Sequence, residues 1–396
     1  MTYIIAWKAA SVAYMCADTV ITDFADTTNG WPAELKTHSS FGELHVASAK
    51  SVIAEAALKI INLGPLAIGM AGHFTTCRTI AQHASNYLKD GKSPRESFSL
   101  ALKLHLEEPR RKSVQIAAIC IESGLPVLFV FNEFNNDVIE EMENECVAHL
   151  GSASPEFKAM TFQVLNMIRN HCGDKPMYNL TLAIAFLQSC GQRNYLLERQ
   201  YFGGTFCGLS AYDGHIYWQP DIVYWPGSHS FKNLPMNVQG LISVVVRDNV
   251  LVVQSTITSD TRYFGDSLSN GLSVTWNAKW WDRLGNFLFT GNFDYLVALD
   301  TQRATVTACE LAKHAISKYA YFWAEPSNDD PSKYFITLSV SPEVWQALRR
   351  QLEERNGTMP VLFNMFPYAT PEPPLAEQIL AAAALHRRQQ TEGDPA

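Results

Sequence analysis

The order of the elements predicted along the chain indicates an α+β fold in which two antiparallel sheets lie between two layers of helices, an αββα sandwich. Apolar, β-prone runs at residues 3–8 and 12–16 predict a hairpin that begins almost at the first residue. The apolar period then changes from strand-like to helical at residue 74. Strands followed by two helices occur twice before residue 225, and two further strands complete the predicted sandwich.

Each remaining element of this region follows from a local pattern. Short apolar runs between turn residues predict strands at 57–62, 66–70, 113–121, 126–131, 147–150, 204–212 and 215–219. Apolar residues at three- and four-residue spacing predict helices at 74–89, 94–106, 155–170 and 180–189. Polar and turn-forming residues at 26–47 predict a long loop or insertion.

The part of the chain after residue 225 has predicted elements of its own. We expect a hairpin over 242–256, a helix at 301–319, a strand at 334–340 and helices at 343–355 and 375–388. The chain therefore divides into a first domain, 1–225, and a mixed α/β C-terminal extension, 226–396. The extension is a candidate for oligomerisation or regulation.

Composition excludes several classes of protein. A net charge of −8 and a pI near 5.8 argue against nucleic acid as a partner, because phosphate binding needs clustered Lys and Arg. The sequence has no run of eighteen apolar residues, which a membrane span would need, and it lacks the basic-then-apolar start of a secretory signal. We therefore expect a cytoplasmic protein. Eight cysteines without CxxC pairs and histidines without HExxH predict neither a metal site nor a cofactor.

The second residue is a candidate nucleophile. An N-terminal threonine can act alone, because its hydroxyl attacks while its own α-amine, with an unperturbed pKa near 8, accepts the proton. Thr2 would offer both groups once Met1 is removed, and the small side chain of threonine favours that removal. A chain can also begin Met-Thr without any catalytic meaning.

The residues after Thr2 strengthen the catalytic interpretation. Thr2 begins a strand, a turn and a second strand follow, and the small-Asp-small run Ala17-Asp18-Thr19 places Asp18 sixteen positions after Thr2. This pattern resembles the proteasome β-type peptidases, including the bacterial HslV-like ones, which belong to the N-terminal nucleophile (Ntn) hydrolases. The resemblance covers about residues 2–225 and implies the four-layer αββα sandwich of that superfamily.

A lysine and a glycine extend the resemblance. Lys59-Ile60, followed by an apolar strand and by Gly72 thirteen positions after the lysine, matches the family's next element. The resemblance implies that Lys59 assists proton transfer from Thr2, that Asp18 orients Lys59, and that the Gly72 amide helps to form an oxyanion hole. Lys59 could instead be a surface lysine at a strand end, and Lys50 is the rival candidate.

A third match and one departure follow. Gly151-Ser152 lies after a predicted strand and resembles the family's Gly-Ser-Gly element, which implies that Ser152 bonds near the threonine amine. Ser152 could equally belong to a helix start. In the fourth element the glycines align, but Arg199 stands where the family has Asp and Phe202 where it has Ser. Glu198 could supply the missing carboxylate.

Two functions remain open from the sequence. The first is a threonine-type peptidase or amidohydrolase that cleaves amide bonds, most naturally peptides, through an acyl-enzyme on Thr2. The second is a catalytically inactive proteasome-fold scaffold or sensor that works through its C-terminal region. The resemblance implies self-association, because proteasome-type relatives assemble into rings, and it leaves room for an unfoldase or regulator as partner.

Overall fold

The structure is a computed structural model, which describes the residue ranges given next. The described residues are 2–23, 38–47, 52–109, 111–132, 139–172, 174–194, 196–228, 237–238, 242–247, 249–255, 257–258, 260–264, 274–276, 293–300, 305–310, 320–326 and 334–340. The chain separates into two compact units, Met1–Pro360 and Val361–Ala396, and all of these residues belong to the first. The helices predicted at 343–355 and 375–388 lie outside the described residues.

The first five-stranded sheet carries the start of the chain. Its strands, in spatial order, are β11 (Val147–Gly151), β1 (Tyr3–Ala9), β2 (Val12–Asp18), β12 (Phe206–Tyr212) and β13 (His215–Trp218), and all neighbours are antiparallel. The turn Asp213-Gly214 joins the last two strands with positive φ at both residues, as a two-residue hairpin of the primed type requires. Strand β1 lies between β11 and β2, so its backbone is hydrogen-bonded on both edges.

The second five-stranded sheet faces the first. Its strands, in spatial order, are β10 (Ile139–Glu141), β9 (Leu125–Asn132), β8 (Val114–Glu122), β7 (Leu66–Gly72) and β6 (Ile60–Asn62). Buried side chains of both sheets, among them Ile4, Met15 and Leu128, form one apolar cluster. The sheets approach closely at Gly69, where a Cβ would lie 2.4 Å from the Met15 sulfur.

Helices cover the outer faces of these two sheets. Helices α1 (Phe74–Lys89) and α2 (Pro94–Leu106) pack on the second sheet through a buried cluster that includes Ile80, Phe98 and Phe129. Three helices lie on the side of the first sheet: α3 (Pro155–Cys172), α4 (Pro176–Asn194) and the short α5 (Leu196–Gln200). Helix α4 packs against β12 and α3 packs against α4.

A third, eight-stranded sheet follows. Its strands are β14 (Ile222–Ser228), β15 (Asn237–Val238), β16 (Ile242–Arg247), β17 (Val250–Ser255), β18 (Asp260–Phe264), β19 (Val274–Trp276), β20 (Tyr295–Asp300) and β21 (Thr305–Glu310). Strands β14 and β20 are parallel, and the other neighbours are antiparallel. Because β20 and β21 pack on α4 while β12 packs on it from the first sheet, residues 180–190 of this helix are buried throughout and, apart from Gln188, apolar or small.

Two small sheets complete the described structure. One contains β3 (Val20–Asp23), β5 (Val52–Glu55) and β4 (Val46–Ala47), and the other pairs β22 (Ala320–Pro326) with β23 (Tyr334–Val340). The strand predicted at 334–340 is confirmed. The loop predicted at 26–47 contains β4 and a bridge between His38 and Leu44, while residues 24–37 lie outside the described structure.

The fold is a mixed α+β fold whose sheets are mostly antiparallel, as predicted. The helix predicted at 301–319 is wrong where the structure describes it, because Thr305–Glu310 form β21. The β-branched residues Thr305, Val306 and Thr307 pair along β20 there, and this pairing outweighs the helical spacing. The division predicted after residue 225 falls inside β14 and stays a prediction. In the described part of the chain, no helix is long and apolar enough to span a membrane.

Candidate active site

The start of β1 is held by backbone contacts on both sides. On one side, the Ser152 amide donates to the Thr2 carbonyl oxygen at 3.0 Å. On the other side, the Tyr3 amide donates to Asp18 Oδ1 at 2.9 Å, across the β1–β2 hairpin. Thr2 itself is 8% exposed. The peptide bond that follows the candidate nucleophile is therefore held on both sides, and Thr2 lies directly before the first residue of β1.

Lys59 and Asp18 form a buried ion pair. The Lys59 Nζ lies 2.6 Å from Asp18 Oδ1, and both side chains are essentially inaccessible to solvent. Asp18 accepts a third hydrogen bond on Oδ2, from the Gly203 amide at 3.1 Å. Lysine and aspartate are seldom fully buried unless they are paired. The pairing predicted between Asp18 and Lys59 is therefore present, and it touches the peptide bond that follows Thr2.

Burial changes the chemistry of this lysine. It lowers the pKa of Lys59 below that of an exposed ammonium, and the neighbouring Asp18 carboxylate opposes the change. A lysine with a lowered pKa gives up its proton more easily, which suits a group that takes part in proton transfer. The alternative of a surface lysine at a strand end does not describe Lys59. The rival candidate, Lys50, lies outside the described residues.

Gly72 ends β7, the strand of the second sheet that lies next to Lys59. The Met70 amide donates to the Lys59 carbonyl oxygen at 3.0 Å, so the lysine and this strand are adjacent. Gly72 has a φ of +99°, and a Cβ there would lie 2.6 Å from the Ser113 carbonyl oxygen. Only glycine fits this position. Its role as an oxyanion donor stays a prediction.

Gly151 and Ser152 both contact the backbone of Thr2, and the contact at Gly151 leaves no room for a side chain. Gly151 has a φ of +91°, and a Cβ there would lie 1.7 Å from the Thr2 carbonyl oxygen. The contact from Ser152 to Thr2 is made by the backbone amide, while the Ser152 residue is solvent-exposed. The role predicted for its hydroxyl stays a prediction, and Ser154 is the serine that caps α3, where its hydroxyl accepts from the Phe157 amide.

The departure at residues 198–204 has a structural explanation. Phe202 is fully buried, and its ring packs 5.0 Å from Tyr3 and 5.2 Å from Phe157, measured between ring centroids. Phenylalanine thus fills an apolar position beneath β1. The two glycines that follow bind buried carboxyl groups, because the Gly203 amide donates to Asp18 and the Gly204 amide donates to Glu43. Arg199 is exposed, and the Glu198 carboxyl interacts with the Leu44 amide.

Buried carboxyl groups that the sequence analysis missed hold the turn formed by Gly203, Gly204 and Thr205. Glu43 Oε2 accepts from the Gly204 amide at 2.8 Å. Glu55 Oε1 accepts from the Thr205 amide at 2.8 Å. Glu43 lay within a predicted loop. Glu55 interrupts the apolar run at 52–58, and a lone carboxylate in such a run was a signal that could have been used.

Glu43 is in an unusual electrostatic position. Burial raises its pKa to about 8, and the charge of Glu55 contributes to the rise, while hydrogen bonds from Gly204 and Ser39 oppose it. Its Oε1 lies against Gly203, where a Cβ would be 2.9 Å away. At neutral pH this carboxyl is therefore mostly protonated. The buried groups around the turn then carry balanced charge: Asp18 with Lys59, Glu55 with Arg262, and a neutral Glu43.

This protonation predicts a pH dependence of stability. In the unfolded chain Glu43 loses its proton near 4.5, but the folded chain keeps it to about pH 8. The folded state binds more protons between these values, so the free energy of unfolding contributed by Glu43 falls as pH rises, by at most about 1.4 kcal/mol per unit. Glu43→Gln should remove this slope and be more stable than the wild type at pH 8.5.

Urea denaturation at pH 5, 7 and 8.5 measures the slope. The control is Glu140→Gln, because Glu140 is solvent-exposed on β10 and its substitution should leave the pH dependence unchanged. Equal slopes for the wild type and Glu43→Gln would contradict the assignment of a buried, protonated Glu43.

Comparison with known proteins gives no family for this chain. No protein-family model matches it, and neither does any curated protein. Within the described ranges, no cluster of three or more histidine, cysteine or carboxylate side chains is arranged to hold a metal ion.

Proposed function

We propose that this protein is an N-terminal threonine hydrolase of the Ntn type, a threonine-type peptidase or amidohydrolase that cleaves amide bonds. The observation that carries the proposal is the buried Lys59–Asp18 pair, because Asp18 also binds the amide that directly follows Thr2. Two facing antiparallel sheets with helices on their outer faces are consistent with the four-layer αββα sandwich of such enzymes. In this proposal the protein acts in the cytoplasm and needs no cofactor.

The proposed reaction starts with the Thr2 hydroxyl. Its oxygen attacks the substrate carbonyl carbon while its proton passes to the free α-amine, and Lys59 assists through its charge and its lowered pKa. The Gly72 amide would stabilise the oxyanion. The amine then gives the proton to the leaving nitrogen, the C–N bond breaks, and an ester on Thr2 remains. Water, deprotonated by the same amine, hydrolyses this ester.

Thr2 must carry a free amine for this reaction. Peptides are the natural amide substrate for such a site, and the resemblance to ring-forming proteasome subunits makes self-association and an unfoldase or regulator part of the proposal. The alternative is an inactive scaffold or sensor. It is favoured by one observation: Phe202 places a ring where proteasome-type subunits have a serine hydroxyl.

Intact mass spectrometry with a peptide epoxyketone tests the proposal. This probe reacts with a hydroxyl and an amine on the same residue, so it marks a free N-terminal threonine. We expect a mass that lacks Met1, one adduct in the wild type, and no adduct in Thr2→Ala. Retention of Met1 would overturn the enzyme proposal, and a free Thr2 that gains no adduct would favour the scaffold.

A further inference from the structure

Arg262 links the eight-stranded sheet to the region of Thr2. It lies on β18, and its Nη1 donates to Glu55 Oε2 at 2.6 Å, while its Nη2 donates to the His38 carbonyl oxygen at 2.7 Å. The side chains of Arg262 and Glu55 are 5% and 0% exposed. A buried ion pair between residues 207 positions apart in the chain thus joins β18 to β5.

Glu55 passes this contact to the turn beside Asp18. Its Oε1 accepts from the Thr205 amide at 2.8 Å and from the Thr19 hydroxyl at 3.1 Å. The Thr205 amide also lies 3.0 Å from Thr19 Oγ1. Thr19 directly follows Asp18, so Glu55 binds both segments that approach the aspartate: the end of β2 and the turn before β12.

The turn at Gly203–Thr205 also holds Asp18. Two residues before Thr205, the Gly203 amide donates to Asp18 Oδ2, and Asp18 Oδ1 binds Lys59. A continuous set of hydrogen bonds and backbone therefore runs from Arg262 through Glu55 and the turn to the Lys59–Asp18 pair. The position of Arg262 matters for the charge of Glu55. Burial alone would raise the pKa of Glu55, but the Arg262 charge and the surrounding hydrogen-bond donors outweigh burial, so the pKa of this carboxyl is lowered.

We propose that Arg262 is a positioning residue for Thr2 chemistry, acting through Glu55 and the turn at Gly203–Thr205 on Asp18. The proposal rests on the proposed hydrolase function. It assigns the eight-stranded sheet a part in the active site, because the sheet supplies the Arg262 cation. Without this cation, Glu55 would be a buried and uncompensated charge beside the turn. Residues far from the reacting atoms then set the orientation of Asp18 and Lys59.

Substitutions at both ends of the ion pair test this role. Arg262→Met removes the cation, and we expect adduct formation at Thr2 to slow by about 10- to 100-fold, since small misplacement of catalytic groups has effects of this size. Arg262→Lys keeps the charge but not the two-pronged geometry and should be intermediate. Arg262→Met with Glu55→Gln removes both charges, so it should recover most of the rate. Arg247→Met is the matched control. Arg247 ends β16 of the same sheet, pairs with Asp221 and has a 62% exposed side chain.

Two readouts separate the possible outcomes. The first is the rate of epoxyketone adduct formation between pH 6 and 9. The second is hydrogen exchange of the amides of residues 203–206, with helix α1 as the internal reference for global unfolding. We expect Arg262→Met to speed exchange at 203–206 and not in α1, and to change the pH profile of adduct formation, neither of which Arg247→Met should do.

The outcomes that overturn the proposal are distinct from failure of the proposed function. An Arg262→Met variant with wild-type rate, pH profile and exchange would show that Arg262 positions nothing. A uniform increase of exchange across 203–206 and α1, with an unchanged pH profile, would reduce its role to general stability. No adduct in the wild type would instead overturn the hydrolase function and with it the catalytic meaning of Arg262, while local exchange at 203–206 would still report the structural link.

Discussion

Gly151→Ala should displace Thr2 and strongly slow any reaction there. A Cβ at residue 151 would lie 1.7 Å from the Thr2 carbonyl oxygen and 2.6 Å from its carbonyl carbon. These are backbone atoms that cannot rotate away, and the φ of +91° at Gly151 adds strain for any other residue. Either β11 separates from β1 or Thr2 leaves its place. We expect the free energy of unfolding to fall by more than about 4 kcal/mol and adduct formation to slow by at least about 100-fold.

Gly124→Ala is the matched control for this substitution. Gly124 has a φ of +80° in the turn between β8 and β9, and a Cβ there would meet no atom within 4 Å. It should therefore cost only the conformational penalty of about 1–2 kcal/mol and leave the rate at Thr2 unchanged. Urea denaturation and the epoxyketone reaction measure both variants. Equal effects of the two substitutions would show that contact with Thr2 is not what requires glycine at 151.

Lys59→Met should cost both stability and reactivity. It leaves the Asp18 carboxylate buried with two backbone amides, from Tyr3 and Gly203, and no cation. Breaking one side of a buried ion pair typically costs about 3–5 kcal/mol, because the remaining charge is uncompensated. If Lys59 assists proton transfer, the reaction at Thr2 should also slow by about 100- to 10,000-fold, the range of general acid–base effects.

A double variant separates the two effects. Lys59→Met with Asp18→Asn carries no buried charge at this position, and the asparagine oxygen can still accept a hydrogen bond. We expect part of the lost stability to return while the reaction stays slow, as measured by urea denaturation and adduct formation. Recovery of the rate together with the stability would contradict a chemical role for Lys59 and leave it a purely structural ion pair.

Local pattern was sufficient for most of the elements before residue 225. The helices predicted at 74–89 and 94–106 match α1 and α2, because their apolar spacing, caps and packing face all agree. The helix predicted at 301–319 failed where the structure describes it. There β21 pairs with β20, a neighbour that no local pattern at 305–310 could indicate. Tertiary pairing decides such ambiguous segments.

The candidate site divides in the same way. Thr2, Asp18 and Lys59 were predicted because a resemblance carried over their spacing, and the ion pair between the last two is present. Glu43 and Arg262 were not found, since their importance comes from burial beside the turn at Gly203–Thr205. A carboxyl in a predicted loop and an arginine outside every predicted element give no sign of that burial. Only the folded chain brings residues 43, 55, 203–205 and 262 together.

The sequence by itself determined most of the strand and helix order of residues 2–225, but not the short strands at 20–23, 46–47, 52–55 and 139–141 or the short helix at 196–200. It also determined the spacing that predicts a site at Thr2, Asp18 and Lys59. Periodicity and spacing are local properties of the chain. The tertiary structure alone decided that Lys59 is buried against Asp18, that Gly151 has to be glycine, and that Arg262 is tied to the same region. These features depend on desolvation and on contact between segments distant in sequence. Both arise only when the sheets pack, because burial is a property of the whole fold.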